Sequence, residues 1–319
     1  MARRVALLFP GQGSEEPEMG LALARADGEA AALLAEASRV TGVDAARALA
    51  RGGRALEPTE VLQPVLLATG LAVARALVRR GVAPAWAAGH SLGELTACCF
   101  ASDMAAPAAI ALAARRGALM RGRAGGMLAL DAEQGEVERA LERAGASLAA
   151  VNAPREIVVS GEARALAELE RSFGPRAKRL RVGGPWHSSL LAGAVEPFRS
   201  LARDQFENSM FSCRVASACT LRELAPRDVP DALARGLVSP VRFAALLELL
   251  AGEGVTDVVV AAPSRVVRSL VRRVLGDRVA IHAAGDPESL DAVATRLAQP
   301  PRSAGGPVSG GRPARRGDR

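Results

Sequence analysis

Tyrosine is absent from this 319-residue chain, and aromatic residues make up only 3% of it. Proteins that hold single-stranded nucleic acid stack bases on such rings, so their scarcity argues against nucleic acid as the partner. Lysine is almost absent too. Lys178 is the single lysine, and arginine supplies the rest of the 41 basic residues. Against 34 acidic residues this gives a formal charge of +7. Part of the excess lies in Pro300–Arg319, a segment of Pro, Gly, Ser and Arg read as a disordered basic tail (300–319). The remaining excess suits CoA phosphates or an acidic protein partner. Cysteine is sparse: Cys98, Cys99, Cys213 and Cys219 form no C-x-x-C pair. With only His90, His187 and His282 to add, no metal site is expected. The four thiols read as small buried hydrophobes in a reducing cytoplasm. No stretch approaches the ~20 uninterrupted apolar residues of a membrane span, so no membrane is expected. The opening apolar run is too short for a signal peptide and reads as a buried first strand.

What is present fits a globular protein. Hydrophobic residues make up 49% and charged residues 24%, close to the average for soluble domains. Arg4–Phe9 is a short apolar run stopped by Pro10-Gly11, the pattern of a strand followed by a loop. Helices are predicted over Glu16–Arg25, Glu29–Val40 and Thr59–Arg80. The last is mostly apolar and is therefore expected to be central and buried. A strand over Ala85–Gly89 passes directly into a helix over Leu92–Phe100, and another helix follows over Ala106–Arg121. The texture then changes. Strands at Gly126–Asp131, Ser147–Asn152, Glu156–Ser160 and Ala177–Val182 alternate with helices at Glu133–Arg143 and Ala163–Phe173. That order is βαββαβ, the ferredoxin-like pattern. Alternation resumes with a helix over Ser188–Asp204, a strand over Cys213–Cys219 and a helix over Val241–Ala251. A strand over Thr256–Ala261, a helix over Arg265–Val274, a strand over Val279–Ala283 and a final helix over Glu288–Ala298 complete it. The expected fold is α/β: a parallel-sheet core from residues 1–124 and 185–299, with residues 125–184 inserted as a ferredoxin-like subdomain.

The sharpest chemical signal is Gly89-His90-Ser91-Leu92-Gly93-Glu94, a G-x-S-x-G between a predicted strand and a predicted helix. A serine at such a turn is exposed at the positive end of a helix, and bulky neighbours would clash, hence glycine on both sides. A glycine-rich turn with a capping serine has the same spelling. A nucleophilic serine needs a base, usually histidine. His90 adjoins the serine, His282 lies in a late strand, and His187 sits in a loop where the inserted unit rejoins the core. Composition does not choose among them.

Further segments carry a resemblance. Phe9-Pro-Gly-Gln-Gly-Ser14, Gly89–Glu94, Arg116-Gly-Ala-Leu-Met120 and Asn152-Ala-Pro154 with Ile157–Gly161 occur in this order, followed by Trp186-His-Ser188 and Ser239-Pro-Val-Arg-Phe243. Together they resemble the signatures of the malonyl-CoA:acyl-carrier-protein transacylases and polyketide synthase acyltransferase domains, over about residues 5–285. The resemblance implies an α/β-hydrolase-like core and a cytoplasmic, monomeric enzyme. That enzyme would move a malonyl or related dicarboxylic acyl group from CoA to the phosphopantetheine thiol of an acyl carrier protein. It implies Ser91 as nucleophile, His187 as base, and the backbone N–H groups of Gln12 and Leu92 as oxyanion hole. It also implies Arg116 as carboxylate grip, with Asn152 and Trp186 at the substrate. No cofactor is implied, since CoA enters as substrate. Leu92 looks like the malonyl-preferring version of its motif. The chain departs from the family at Glu15, Glu156 and Gly236, where relatives carry glutamine, and at Ala261–Ser264, where a glycine-rich turn is common. Two rival readings are an acyl hydrolase clearing carrier proteins and a non-catalytic module that docks a carrier.

Overall fold

A computed structural model describes residues 3–299. Two sheets organise them. The larger is built from β1 (Val5–Phe9), β2 (Trp86–Gly89) and, after the smaller sheet, β7 (Arg214–Ala216), β8 (Glu223–Leu224), β9 (Asp257–Ala261) and β10 (Ala280–Ala284). The smaller holds β3 (Gly126–Leu130), β4 (Ser147–Ala153), β5 (Glu156–Gly161) and β6 (Ala177–Arg179).

The larger sheet has the order β10-β9-β1-β2-β7-β8, parallel except for the edge pair β7–β8. Its central strands are buried from end to end, as expected of apolar runs covered on both faces. Phe9 lies opposite Gly89 in register. The loops after β1 and β2 therefore leave the sheet side by side at its carboxyl edge, where open α/β sheets carry their ligands. The Thr59–Arg79 helix is the one described helix long and apolar enough to cross a membrane; it is packed inside the protein.

The smaller sheet has the order β4-β5-β3-β6, antiparallel throughout, which is the ferredoxin-like arrangement. Residues alternate across it as strand geometry requires. Leu128, Leu130, Ile157 and Val159 face the helices Gln134–Ala144 and Ala163–Phe173 and form a separate apolar core. Met127, Ala150 and Val158 join the main core instead. Backbone hydrogen bonds of 2.9 Å from Val151 N–H to Val241 C=O, and from Val241 N–H to Ala149 C=O, tie β4 to the larger unit.

Several elements differ from their predicted extents. The first helix begins at Leu21 rather than Glu16, because Pro17 and the positive φ of Glu18 and Gly20 hold the preceding residues in turns. The helix Ala45–Arg51 escapes a periodicity search because it has only seven residues, although Asp44 caps it by accepting from Arg47 N–H. Val229–Gly236 is a second short helix not anticipated. β7 stops at Ala216, since Ser217–Cys219 turn away, and β6 stops at Arg179.

Close approach fixes how the helices sit. A Cβ at Gly117 would lie 2.5 Å from Glu60 Cα and 2.6 Å from Thr59 C=O, so the Ala106–Met120 helix meets the start of Thr59–Arg79 backbone to backbone. Gly117→Ala is expected to destabilise the fold by about 2–4 kcal/mol. Gly28→Ala, in open space, is the neutral control. A Gly117→Ala protein with the wild-type urea midpoint would contradict this packing.

Candidate active site

The turn after β2 is strained in a way that presents Ser91. Its φ of 54° and ψ of −107° fall outside the wells open to ordinary side chains, at a cost of about 1–3 kcal/mol. The turn exists only because Gly93 has no side chain: a Cβ there would sit 2.0 Å from Phe9 C=O. Ser91 then lies at the N-terminus of the Leu92–Ala101 helix.

His187, far along the chain, reaches this turn. Its Nε2 is 2.8 Å from Ser91 Oγ. Its Nδ1 is 2.7 Å from Gly236 C=O and 3.2 Å from Ser239 C=O. Carbonyls only accept, so Nδ1 carries the proton and Nε2 keeps its lone pair for the serine O–H. His187 also has a positive φ, of 60°. Burial, and then the Arg116 guanidinium, push its pKa down to about 3. The ring is therefore a neutral acceptor across the physiological range.

Arg116 comes from the Ala106–Met120 helix and is 4% exposed. Its Nη1 donates to Gln63 Oε1 at 2.8 Å, and its Nη2 lies 3.5 Å from Ser91 Oγ. Burial lowers its pKa to about 10, with the Glu94 carboxylate opposing, so it stays charged. No acidic group lies within 4.0 Å of it among the described residues. Gln12 Oε1 accepts from Thr59 Oγ1 at 2.9 Å and from Gln63 Nε2 at 3.1 Å, which pins the β1 loop. Within the described residues, neither the Gln12 nor the Leu92 N–H donates to a backbone carbonyl.

A cavity of about 320 Å³ opens above Ser91, His187, Gln12 and Trp186. Met127 and Val158 of the smaller sheet roof it, and Val266 and Leu270 of the Arg265–Leu275 helix close one side. Arg116 and Leu92 do not line it; Arg116 approaches through Ser91. Trp186 packs its six-membered ring where a Gly184 Cβ would be, and its buried indole N–H has no partner among the described residues. Asn152 lines the cavity with its amide committed: Oδ1 accepts from His90 Nε2 at 2.8 Å, and Nδ2 donates to Glu156 Oε1 at 3.2 Å. Of the three histidines, His282 is remote from this cavity and bonds Asp257 Oδ1 at 2.9 Å. Sequence reasoning missed Gln63 and Thr59, which support both Arg116 and Gln12. The available signal was a glutamine inside a mostly apolar helix.

Residues 6–297 match the family model described as the acyl transferase domain. The chain belongs to this family. It is 32% identical to the malonyl CoA-acyl carrier protein transacylase of Bacillus subtilis, over 90% of this chain and 95% of that protein. An acyl-carrier-protein S-malonyltransferase from Burkholderia pseudomallei superposes with a TM-score of 0.82 at 30% identity, covering 92% of this chain and 99% of that one. A malonyl-transacylase solved with its type II polyketide acyl-carrier protein gives 0.82 at 29% identity, over 92% and 99%. The acyl transferase fold is thus the α/β core and antiparallel small sheet described above.

The site fixes a measurable protonation state. Histidine ¹⁵N NMR is expected to find His187 protonated on Nδ1 alone at pH 7 and still neutral at pH 5. Its folded pKa lies below the unfolded value near 6.5. Its contribution to stability is therefore present above pH 6.5 and is lost as pH falls from there toward 3, where the unfolded chain binds a proton the site refuses. Protonation of His187 near pH 6.5 would contradict this geometry.

Proposed function

We propose that this acyl transferase moves a malonyl group from CoA to the phosphopantetheine thiol of an acyl carrier protein through an ester on Ser91, serving fatty acid or polyketide assembly. The carrying observation is the hydrogen bond of 2.8 Å between Ser91 Oγ and the Nε2 of an imidazole whose other nitrogen is spoken for. His187 takes the serine proton as Oγ attacks the thioester carbonyl. The C–S bond breaks, and CoA leaves with that proton. The carrier's thiol then gives its proton to His187, its sulfur attacks the ester, and Ser91 recovers its hydrogen. The Gln12 and Leu92 N–H groups receive the oxyanion of both tetrahedral intermediates, Leu92 from the helix start.

Arg116 pairs with the free carboxylate of the acyl group. Its Nη2 lies 3.5 Å from the serine oxygen, a spacing that suits an acid whose two carboxyl carbons are separated by one methylene. The guanidinium is buried and, among the described residues, has no acidic partner within ion-pair reach, so an incoming carboxylate meets an unneutralised cation. Trp186 bounds the acyl chain, and Asn152 holds His90 against the cavity wall. The scheme draws only on side chains and backbone, with CoA as a substrate. The enzyme acts as a monomer in the cytoplasm, where its four free cysteines stay reduced.

Incubation with malonyl-CoA followed by intact-mass analysis is expected to add one malonyl group to the wild type and none to Ser91→Ala. Arg116→Ala should lower the malonyl-to-acetyl preference by about 10- to 100-fold, the worth of a charge-assisted hydrogen bond. A labelled Ser91→Ala protein would overturn the nucleophile. Rapid hydrolysis of the ester without carrier would instead mark a hydrolase. Carrier binding without acylation by any donor would mark a docking module.

A further inference from the structure

Glu94 is buried at 5% exposure, three residues beyond Ser91, and the scheme above does not use it. Its carboxylate holds a turn that comes from a distant part of the chain. Oε1 accepts from Ser217 Oγ at 2.6 Å, and Oε2 accepts from Ala218 N–H at 2.9 Å. Ser217 Oγ in turn accepts from the N–H groups of Cys219 and Thr220, at 3.2 and 3.0 Å, so the hydroxyl organises the whole turn around the carboxylate.

The far side of that turn supports the base. Ala218 C=O accepts from Arg242 N–H at 3.1 Å, and the Arg242 guanidinium donates to Cys219 C=O. Arg242 stands three residues after Ser239 in the chain. Ser239 and Gly236 supply the two carbonyls that accept from His187 Nδ1. The path runs from the helix that presents Ser91, through Glu94 and the 217–219 turn, to the segment that orients His187.

We infer that Glu94 is a positioning residue for the acyl-transfer step: its carboxylate, acting through the Ser217–Cys219 turn, fixes the main-chain carbonyls that hold His187 against Ser91. The acid that serine–histidine sites usually place directly on the imidazole stands here one layer back. Backbone carbonyls lie between, and they fix the tautomer without putting a charge beside the ring.

This inference rests on the reading of Ser91 and His187 as nucleophile and base, and the test separates the two. Single-turnover acylation by malonyl-CoA is followed by quenched-flow mass spectrometry, with competent sites counted from the burst amplitude. Glu94→Ala and Ser217→Ala should acylate about 10- to 100-fold more slowly per competent site, the cost of a small misplacement of a reacting group. The donor concentration for half-maximal rate should be unchanged. Glu94→Gln, which keeps an acceptor for Ala218 N–H, should recover part of the loss. If Glu94→Ala does not fold, Ser217→Ala carries the test, because it keeps the carboxylate. A wild-type rate per competent site, or a loss confined to the number of competent sites, would overturn the positioning role. A wild type that never forms the Ser91 ester would overturn the underlying reading, and the inference with it.

Discussion

A neutral imidazole has one donor and one acceptor, and in this protein both are committed. His187 gives its only N–H to two main-chain carbonyls and turns its lone pair to Ser91. Burial and a neighbouring guanidinium keep the ring from taking a second proton. Everything else at the site serves to bring that ring, the strained serine and the buried arginine to one place. The elbow needs Gly93 pressed against Phe9, the arginine needs Gly117 pressed against Glu60, and His187 needs a return loop with a positive φ.

The arginine poses the harder electrostatic problem. A guanidinium removed from water is costly unless it is paired, and Arg116 makes its short contacts only with neutral groups. Gln63 orients it without quenching it, and the Glu94 carboxylate supports its charge through space. This leaves a fixed cation with unspent attraction beside Ser91, which in the proposed reaction a second carboxylate on the acyl group would satisfy. The glutamine pair Gln12 and Gln63, joined through Thr59, links the loop after β1 to the arginine. The two sides of the site are therefore held at one distance.

Much of this was legible in the chain as letters. β1 and β2 announce themselves as apolar runs cut off by Pro10-Gly11 and Gly89, and the βαββαβ unit by its alternation and spacing. Ser91 was visible from the glycines on either side of it. His187 was not distinguishable from His90 and His282 by composition; the family signature singled it out, and the fold brings it to Ser91 across 96 positions. The roles of Gln63, Glu94 and Ser217 stayed hidden for the same reason. Each matters through a partner far away in sequence, and local periodicity is blind to such pairs. Short elements such as Ala45–Arg51 were missed because seven residues offer less than two helical turns of pattern.

The two backbone bonds between β4 and Val241 carry a mechanical implication. Val241 follows Ser239 by two residues, so the roof of the cavity and the carbonyl cradle of the imidazole hang on one short span of chain. A rocking of the small sheet that widened the chamber for a bulky guest would drag on that span and tilt the ring away from the serine. In the proposed reaction, a guest that forced the roof upward would therefore also loosen His187 from Ser91.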